Sequence, residues 1–192
     1  MSTQKVVKLS LCGASAVGKS SIGFRLVNKE PNMYYVSTIG LDYFSRRLLA
    51  YNTRIGIWDL AGDKRFETIT TQYIKDSDII LYVYDLTRPS TVLELRKLHQ
   101  IYEKMDNRDQ IKIIVVGNKK DKENTCDHSN SLGEIFANEL EVPHLIISAK
   151  KNSGIYELLS TIVTEMKLKK FEVRARSVNK DTVRWWDRCI LC

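Results

Sequence analysis

The chain is short of cysteine, has no long apolar run and shows no internal repeat. Its four cysteines, Cys12, Cys126, Cys189 and Cys192, fit neither a disulfide framework nor a paired zinc site. Nothing near the N-terminus has the apolar core of a secretory signal, and no run approaches the ~20 residues that span a bilayer. Disulfide-stapled secreted domains and membrane-spanning proteins are thereby set aside, and a reducing, cytosolic compartment is the expectation. Cys12 lies in an apolar run and reads as a small core residue. Cys189 and Cys192 need an explanation of their own.

Acidic side chains are scarce at one end. From Lys167 onward eight basic residues stand against Glu172, Asp181 and Asp187, so this stretch carries +5 of the formal net charge of +7. The remainder is close to balanced, which argues against nucleic acid and for a basic tail facing an anionic surface. With 192 residues, 43% hydrophobic and 28% charged, the chain suits one domain with a sizeable core.

Short apolar runs alternate with longer helical patterns. "VVKLSLCG" (6–13), "RIGIWDL" (54–60), "IILYVYDLT" (79–87), "IKIIVVGNK" (111–119) and "HLIISAK" (144–150) read as strands, three of them apolar enough to be buried on both faces. Helices are expected near 19–28, 64–75, 90–105, 131–140 and 154–170, the last with Ser153 as N-cap. This alternation predicts an α/β domain with a mostly parallel sheet. "LDYFSRRLLAY" followed by "NTRIGIW" predicts a hairpin turning near Asn52, hence one antiparallel edge strand. Residues 1–170 form the expected domain. Periodicity stops near Phe171, and 171–192 reads as a flexible basic tail.

The first strand runs into "GASAVGKSS", Gly13 to Ser21, which fits the phosphate-loop pattern G-x-x-x-x-G-K-[ST] with the required strand before and helix after. Small residues let successive N–H groups turn toward a phosphate, and the helix that follows adds the positive end of its dipole. Lys19 is placed to reach terminal phosphates and the Ser20 hydroxyl to ligate Mg²⁺. The base is specified elsewhere. In "NKKD", Asn118 to Asp121, an aspartate can accept from the ring N–H and exocyclic amine of guanine; adenine lacks that donor pair and would leave a buried carboxylate unsatisfied. "SAK", Ser148 to Lys150, could offer a backbone N–H to the guanine oxygen. Both segments follow strands, where open α/β sheets bind ligands.

Taken in order, "GASAVGKS", "STIG", "WDLAGDKRF", "NKKD" and "SAK" resemble the motif set of the Ras-superfamily small GTPases over roughly residues 5–170. "STIGLDYF" and "RFETITTQYIKDSDIILYVYDLT" are most similar to the Rab branch, the vesicle-traffic GTPases. The resemblance implies a P-loop NTPase fold, with a six-stranded, mostly parallel sheet and helices on both faces. It also implies a GTP/GDP switch that uses Mg²⁺. Nucleotide contacts would fall to Gly13, Ala14, Ser15, Ala16, Val17, Gly18, Lys19, Ser20, Ser21, Thr38, Gly62, Asn118, Lys119, Asp121, Ser148, Ala149 and Lys150. Mg²⁺ would be held by Ser20 and Thr38, and by Asp59 through water. The implied partners are an exchange factor, a GTPase-activating protein, effectors on segments 34–45 and 59–76, a prenyltransferase and a GDI-type chaperone.

The departures from the family pattern matter as much. After "AG", where most of the family has a water-orienting glutamine, this chain has Asp63. A carboxylate there adds negative charge beside the γ-phosphate and has no amide N–H to donate. Slow intrinsic hydrolysis is the expectation, with Lys19 and Gly62 as the remaining catalytic groups; alternatively, or in addition, Asp63 caps the helix that follows. Pro31 replaces the usual aromatic at the guanine edge, leaving Met33, Tyr34 or Tyr35 to cover the base. The hairpin is about two residues shorter than in Rab proteins, Ala16 puts little in doubt, and Leu60 reads as a packing change. The C-terminal "CILC" (189–192) fits C-a-a-X with an untypical X. Cys189, Cys192 or both are expected lipid acceptors, with basic residues and Trp185-Trp186 as a second membrane signal. The expected location is the cytosolic face of an intracellular membrane, with a soluble pool. A GTP-binding scaffold that hydrolyses little is the competing reading; a P-loop kinase of small metabolites is disfavoured by "NKKD". His99, His128 and His144 lie outside every motif and read as surface or helix residues.

Overall fold

The computed structural model describes residues 5–31, 38–105, 110–122 and 127–168. Six strands, β1 (Lys5–Cys12), β2 (Leu41–Leu48), β3 (Thr53–Leu60), β4 (Ile79–Asp85), β5 (Lys112–Asn118) and β6 (His144–Ile146), form one sheet in the order β2-β3-β1-β4-β5-β6. Only β2 and β3 pair antiparallel. Among the described residues five helices cover the faces: α1 (Lys19–Leu26), α2 (Glu67–Lys75), α3 (Ser90–Tyr102), α4 (Asp127–Glu139) and α5 (Ile155–Leu168). The α/β sheet with an antiparallel edge is the expected one.

Strand β4 shows why its sequence is apolar throughout. Successive side chains of a strand point to opposite faces, and here both faces are covered. Ile79, Leu81 and Val83 join Ile22, Leu26, Leu158 and Ile162 of α1 and α5 in one core. Ile80, Tyr82 and Tyr84 join Ile74, Val92, Leu95 and Phe136 of α2, α3 and α4 in the other. Leu60 is fully buried in this second core, which bears out its reading as a packing residue. Between β2 and β3 the chain makes a 3-10 turn at Leu49–Tyr51 and passes through Asn52 at φ 44, a left-handed position that asparagine tolerates, so the hairpin turns where the sequence placed it.

The parallel register has a functional consequence. Leu11 lies opposite Asp59, Cys12 opposite Tyr82, and Asp85 opposite Asn118. The ends of β1, β3, β4 and β5 therefore line up along one edge of the sheet.

Three expectations are corrected. β6 stops at Ile146 because Ser148 leaves the sheet to pair its backbone with Ser153 across a tight loop. That same pairing takes Ser153 away from the cap of α5. Gly154, at φ 76, holds the cap instead, and its carbonyl accepts from Leu158 N. His99 lies in α3, within the helix reading, whereas His144 is neither a surface nor a helix residue but opens β6, half-buried. His144 Nε2 lies 2.9 Å from the Tyr84 hydroxyl and His99 Nδ1 3.4 Å from that of Tyr82, each against a buried tyrosine that needs a polar partner. The side chain of His128 and the tail from 169 lie outside the described residues.

Burial lowers the pKa of both His99 and His144 below the ordinary 6.5, against the opposing charges of Glu103 and Glu134. On acidification the unfolded chain then takes up protons at these positions before the native one, so stability present above pH 6.5 is lost below it. Thermal unfolding should shift downward between pH 7.5 and 5.5. The double variant His99→Gln, His144→Gln should show a shallower shift, and an unchanged slope would contradict the assignment.

Candidate nucleotide site

The edge where the strand ends meet is built around the loop after β1. Gly13, at φ 146, sits against the Val83 carbonyl with no room for a Cβ, and Gly18 at φ 96 precedes α1. Ala16 is also left-handed, at φ 63, an arrangement an alanine adopts only when its surroundings impose it. The next three carbonyls supply that constraint. Arg88 Nη2 donates to Ser15 O at 3.0 Å, Lys119 Nζ to Ala16 O at 2.7 Å, and Asn118 Nδ2 to Val17 O at 2.9 Å. A trans peptide carries its N–H opposite its C=O. Fixing these three carbonyls thus turns the N–H groups of Ala16, Val17 and Gly18 to the other side of the loop. Lys19, 6% exposed, folds its ammonium onto Gly13 O and Ala14 O at 2.9 and 2.8 Å, and Ser20 and Ser21 follow in the first turn of α1.

Ser20, Thr38 and Asp59 converge. Asp59 Oδ2 accepts from Ser20 Oγ at 2.5 Å and from Thr38 Oγ1 at 3.2 Å, and the two hydroxyls are 3.1 Å apart. Asp59 is fully buried, and its Oδ1 has no hydrogen-bond partner among the described residues. Burial raises its pKa, with the Ser20 and Thr38 hydroxyls and the Lys19 charge opposing only in part. An unsatisfied buried carboxylate oxygen beside two hydroxyls is a donor set for a hard cation. These residues fit Mg²⁺ and could hold it, with phosphate and water completing the shell.

On the far side, Asn118 bridges two loops. Its Nδ2 reaches Val17 O, while its Oδ1 accepts from Ala149 N at 3.1 Å. Ser148 Oγ donates to Asp121 Oδ1 at 2.5 Å and accepts from Lys151 N. Arg25 of α1 holds Ala149 O at 2.8 Å and Lys150 O at 3.0 Å. Of the two distant segments read as a base site, 118–121 thus meets the phosphate loop through direct hydrogen bonds, and 148–150 is tied to it through Asn118 and to α1 through Arg25. Met33, Tyr34 and Tyr35, the alternatives to an aromatic at position 31, fall outside the described residues.

Gly62 lies against the Ala14–Ser15 peptide, where a Cβ would collide with the backbone. Asp63 closes on its own turn. Its carboxylate accepts from Arg65 N at 2.9 Å and pairs with Arg65 Nη2 at 2.8 Å, and Phe66 N donates to Asp63 O. The side chain and backbone N–H of Arg65 pull the Asp63 pKa down to about 2. It therefore caps, but what it caps is a 3-10 turn at Lys64–Phe66, and α2 begins only at Glu67. Behind this turn a cavity of about 320 Å³ opens between α2 and α3, with Cys12, Thr70 and Leu98 in its wall. Cys12 is 1% exposed, and burial pushes its thiol up to about 12, so it is an inert core residue.

Two residues of this edge escaped the sequence reading. Asp85, the last residue of β4, is 1% exposed and receives Thr87, Arg88 and Lys119 on one carboxylate. Arg88 joins it to Ser15 O, 73 positions away in the chain. The available signal was a charged residue ending an otherwise apolar buried strand.

A loop of the phosphate-binding pattern at the C-terminal edge of a parallel sheet, with a buried carboxylate and two hydroxyls beside it, defines the class of P-loop nucleotide-binding proteins. Comparison with known proteins gives the lineage. The family model described as "Ras family" matches residues 8–168. The Ras-related protein SEC4 of Candida albicans is 37% identical over 163 residues, covering 82% of this chain and 77% of its own. The GTP-binding protein ypt2 of Schizosaccharomyces pombe is 34% identical over 96% of both chains, and Ras-related protein Rab-1A of Dictyostelium discoideum 33% over 83% of this chain and 80% of its own. The chain belongs to the Ras family and is a Rab-like small GTPase. Rab-like GTPases work in vesicle traffic, and Ras-family GTPases bind guanine nucleotide with Mg²⁺.

If Asp59 anchors the cation, chelating Mg²⁺ should speed nucleotide release from the parent by tenfold or more. Asp59→Asn should release nucleotide fast in either condition. Dissociation of a fluorescent GDP with and without chelator measures both, and a chelator response preserved in Asp59→Asn would contradict the assignment.

Proposed function

We propose that this Rab-like GTPase is a switch with a weak intrinsic off-step, resting in its GTP form until a partner completes the catalytic site. The observation that carries the reading is the Asp63–Arg65 pair. The position that holds a water-orienting glutamine in most of the family carries a carboxylate committed to its own turn.

In this reading the loop from Gly13 to Ser21 holds the phosphates through backbone N–H groups, with Lys19 leaving its two carbonyls to meet the terminal phosphates. Asn118, Lys119 and Asp121, with Ser148, Ala149 and Lys150, hold and select guanine. Ser20 and Thr38, and Asp59 through water, hold Mg²⁺, which when bound neutralises charge on the phosphate oxygens. The Gly62 N–H senses the γ-phosphate, and its proximity to the Ala14–Ser15 peptide supports that role. Asp63, ionised throughout the physiological range, offers attacking water no N–H donor and adds negative charge near the transition state. Turnover then depends on a GTPase-activating protein that brings its own glutamine-like group. A scaffold that scarcely hydrolyses even with such a partner is the limiting form of the same reading.

Effectors are assigned to segments 34–45 and 59–76, whose described residues include exposed apolar side chains. Ile39 is 83% exposed, and Tyr43 packs edge-on against Trp58 with ring centroids 4.9 Å apart. An exchange factor, a prenyltransferase and a GDI-type chaperone complete the set of partners. Among the described residues no helix is long and apolar enough to cross a membrane. Attachment to the cytosolic face of an intracellular membrane is assigned to the basic segment 171–192 and to lipid on Cys189, Cys192 or both, with a soluble pool in balance.

Single-turnover hydrolysis compares the parent with Asp63→Gln. Restoring the amide should raise the rate by about tenfold or more. With the carboxylate's pKa near 2, the parent rate should show no titration of this group between pH 5 and 8. Equal rates for the two proteins would overturn the proposal. In cells, Cys189→Ser with Cys192→Ser should shift the protein from membrane to soluble fractions, and unchanged membrane recovery would remove the lipid assignment.

A further inference from the structure

The phosphate loop is held from outside by a node that its own motif does not contain. Asp85 Oδ1 accepts from Thr87 N at 2.9 Å and Thr87 Oγ1 at 2.7 Å; its Oδ2 accepts from Arg88 Nε at 3.0 Å and Lys119 Nζ at 2.8 Å. A buried carboxylate with this many donors is fixed in place. It holds two cations, and each passes a further hydrogen bond to the loop, Arg88 to Ser15 O and Lys119 to Ala16 O. The residue between those bonds is Ala16, in the left-handed region at φ 63. The backbone at Arg88 is tied as well: Arg88 N donates to Asp85 O, and Thr91 N and Oγ1 donate to Arg88 O. The guanidinium therefore projects from a rigid turn ahead of α3.

We propose that Arg88, braced by Asp85, is a positioning residue for the phosphate loop and a determinant of how long nucleotide stays bound. Its bond to Ser15 O fixes the Ser15–Ala16 peptide with the Ala16 N–H on the opposite, ligand side. Without it, that peptide is free to turn, the strained Ala16 relaxes, and one donor to the phosphates is lost. The guanidinium fork suits the task because one planar group serves the carboxylate and the carbonyl together; a lysine in its place can serve only one of them well. The inference rests on the guanine-nucleotide reading of the site.

The test is release of a fluorescent GDP from the full chain in Mg²⁺, chased with unlabelled GDP. Arg88 is 44% exposed on the surface, so Arg88→Ala should fold, and its melting temperature with saturating GDP should fall by only the few degrees that about tenfold weaker GDP binding removes. Its release rate should rise about tenfold, with Arg88→Lys falling between alanine and parent and Asp85→Asn resembling alanine. Release unchanged in Arg88→Ala overturns the proposal. So does equal acceleration in the alanine and lysine variants with a loss of melting temperature well beyond that few degrees, which marks a general loosening of the fold. A parent that retains GDP no better than ADP overturns the guanine reading and this inference together.

Discussion

A planar peptide cannot present its carbonyl and its N–H to the same side, and the nucleotide edge depends on that constraint. A loop that offers N–H groups to an anion must dispose of its carbonyls elsewhere, and buried carbonyls demand donors. This chain provides them from Arg88, Lys119 and Asn118, each bonded to one of three successive loop residues. Those donors come from the ends of β4 and β5, so they arrive only if the parallel register places Asp85 beside Asn118 and both near the end of β1. The two cores that clamp β4 from either face are what hold that register.

Two carboxylates of the same edge sit in opposite environments. Asp59 is buried, carries an unsatisfied oxygen and sits with two hydroxyls, an arrangement suited to a cation. Asp63, four residues on, is 40% exposed and saturated by Arg65. The two carboxylates do not form a catalytic pair. Burial and an unpartnered oxygen among the described residues define one, and a local cap with a guanidinium defines the other.

Local and strictly spaced features were legible in the sequence. The phosphate loop announces itself because strand, glycine spacing and helix are contiguous, and the alternating pattern fixed the sheet class because buried parallel strands must be apolar on both faces. "NKKD" and "SAK" were readable only through their order after strands, since neither is distinctive alone. What was hidden depends on long-range contact between ordinary residue types. Arg88 meets Ser15 across 73 positions, and His99 and His144 reach buried tyrosine hydroxyls that no pattern reveals. The shortened β6 and the displaced cap of α5 have one cause, the backbone pairing of Ser148 with Ser153. For Asp63 the sequence left capping and catalytic replacement both open; the pair with Arg65 shows that the side chain caps its own turn.

A slow off-step has a direct signature in the protein as isolated. Nucleotide released by denaturing the freshly purified full chain, and separated by chromatography, reports base identity and the resting state together. The account predicts guanine nucleotide with GTP a substantial share beside GDP. Adenine nucleotide would contradict the site, and GDP alone would contradict a switch that is poor at turning itself off.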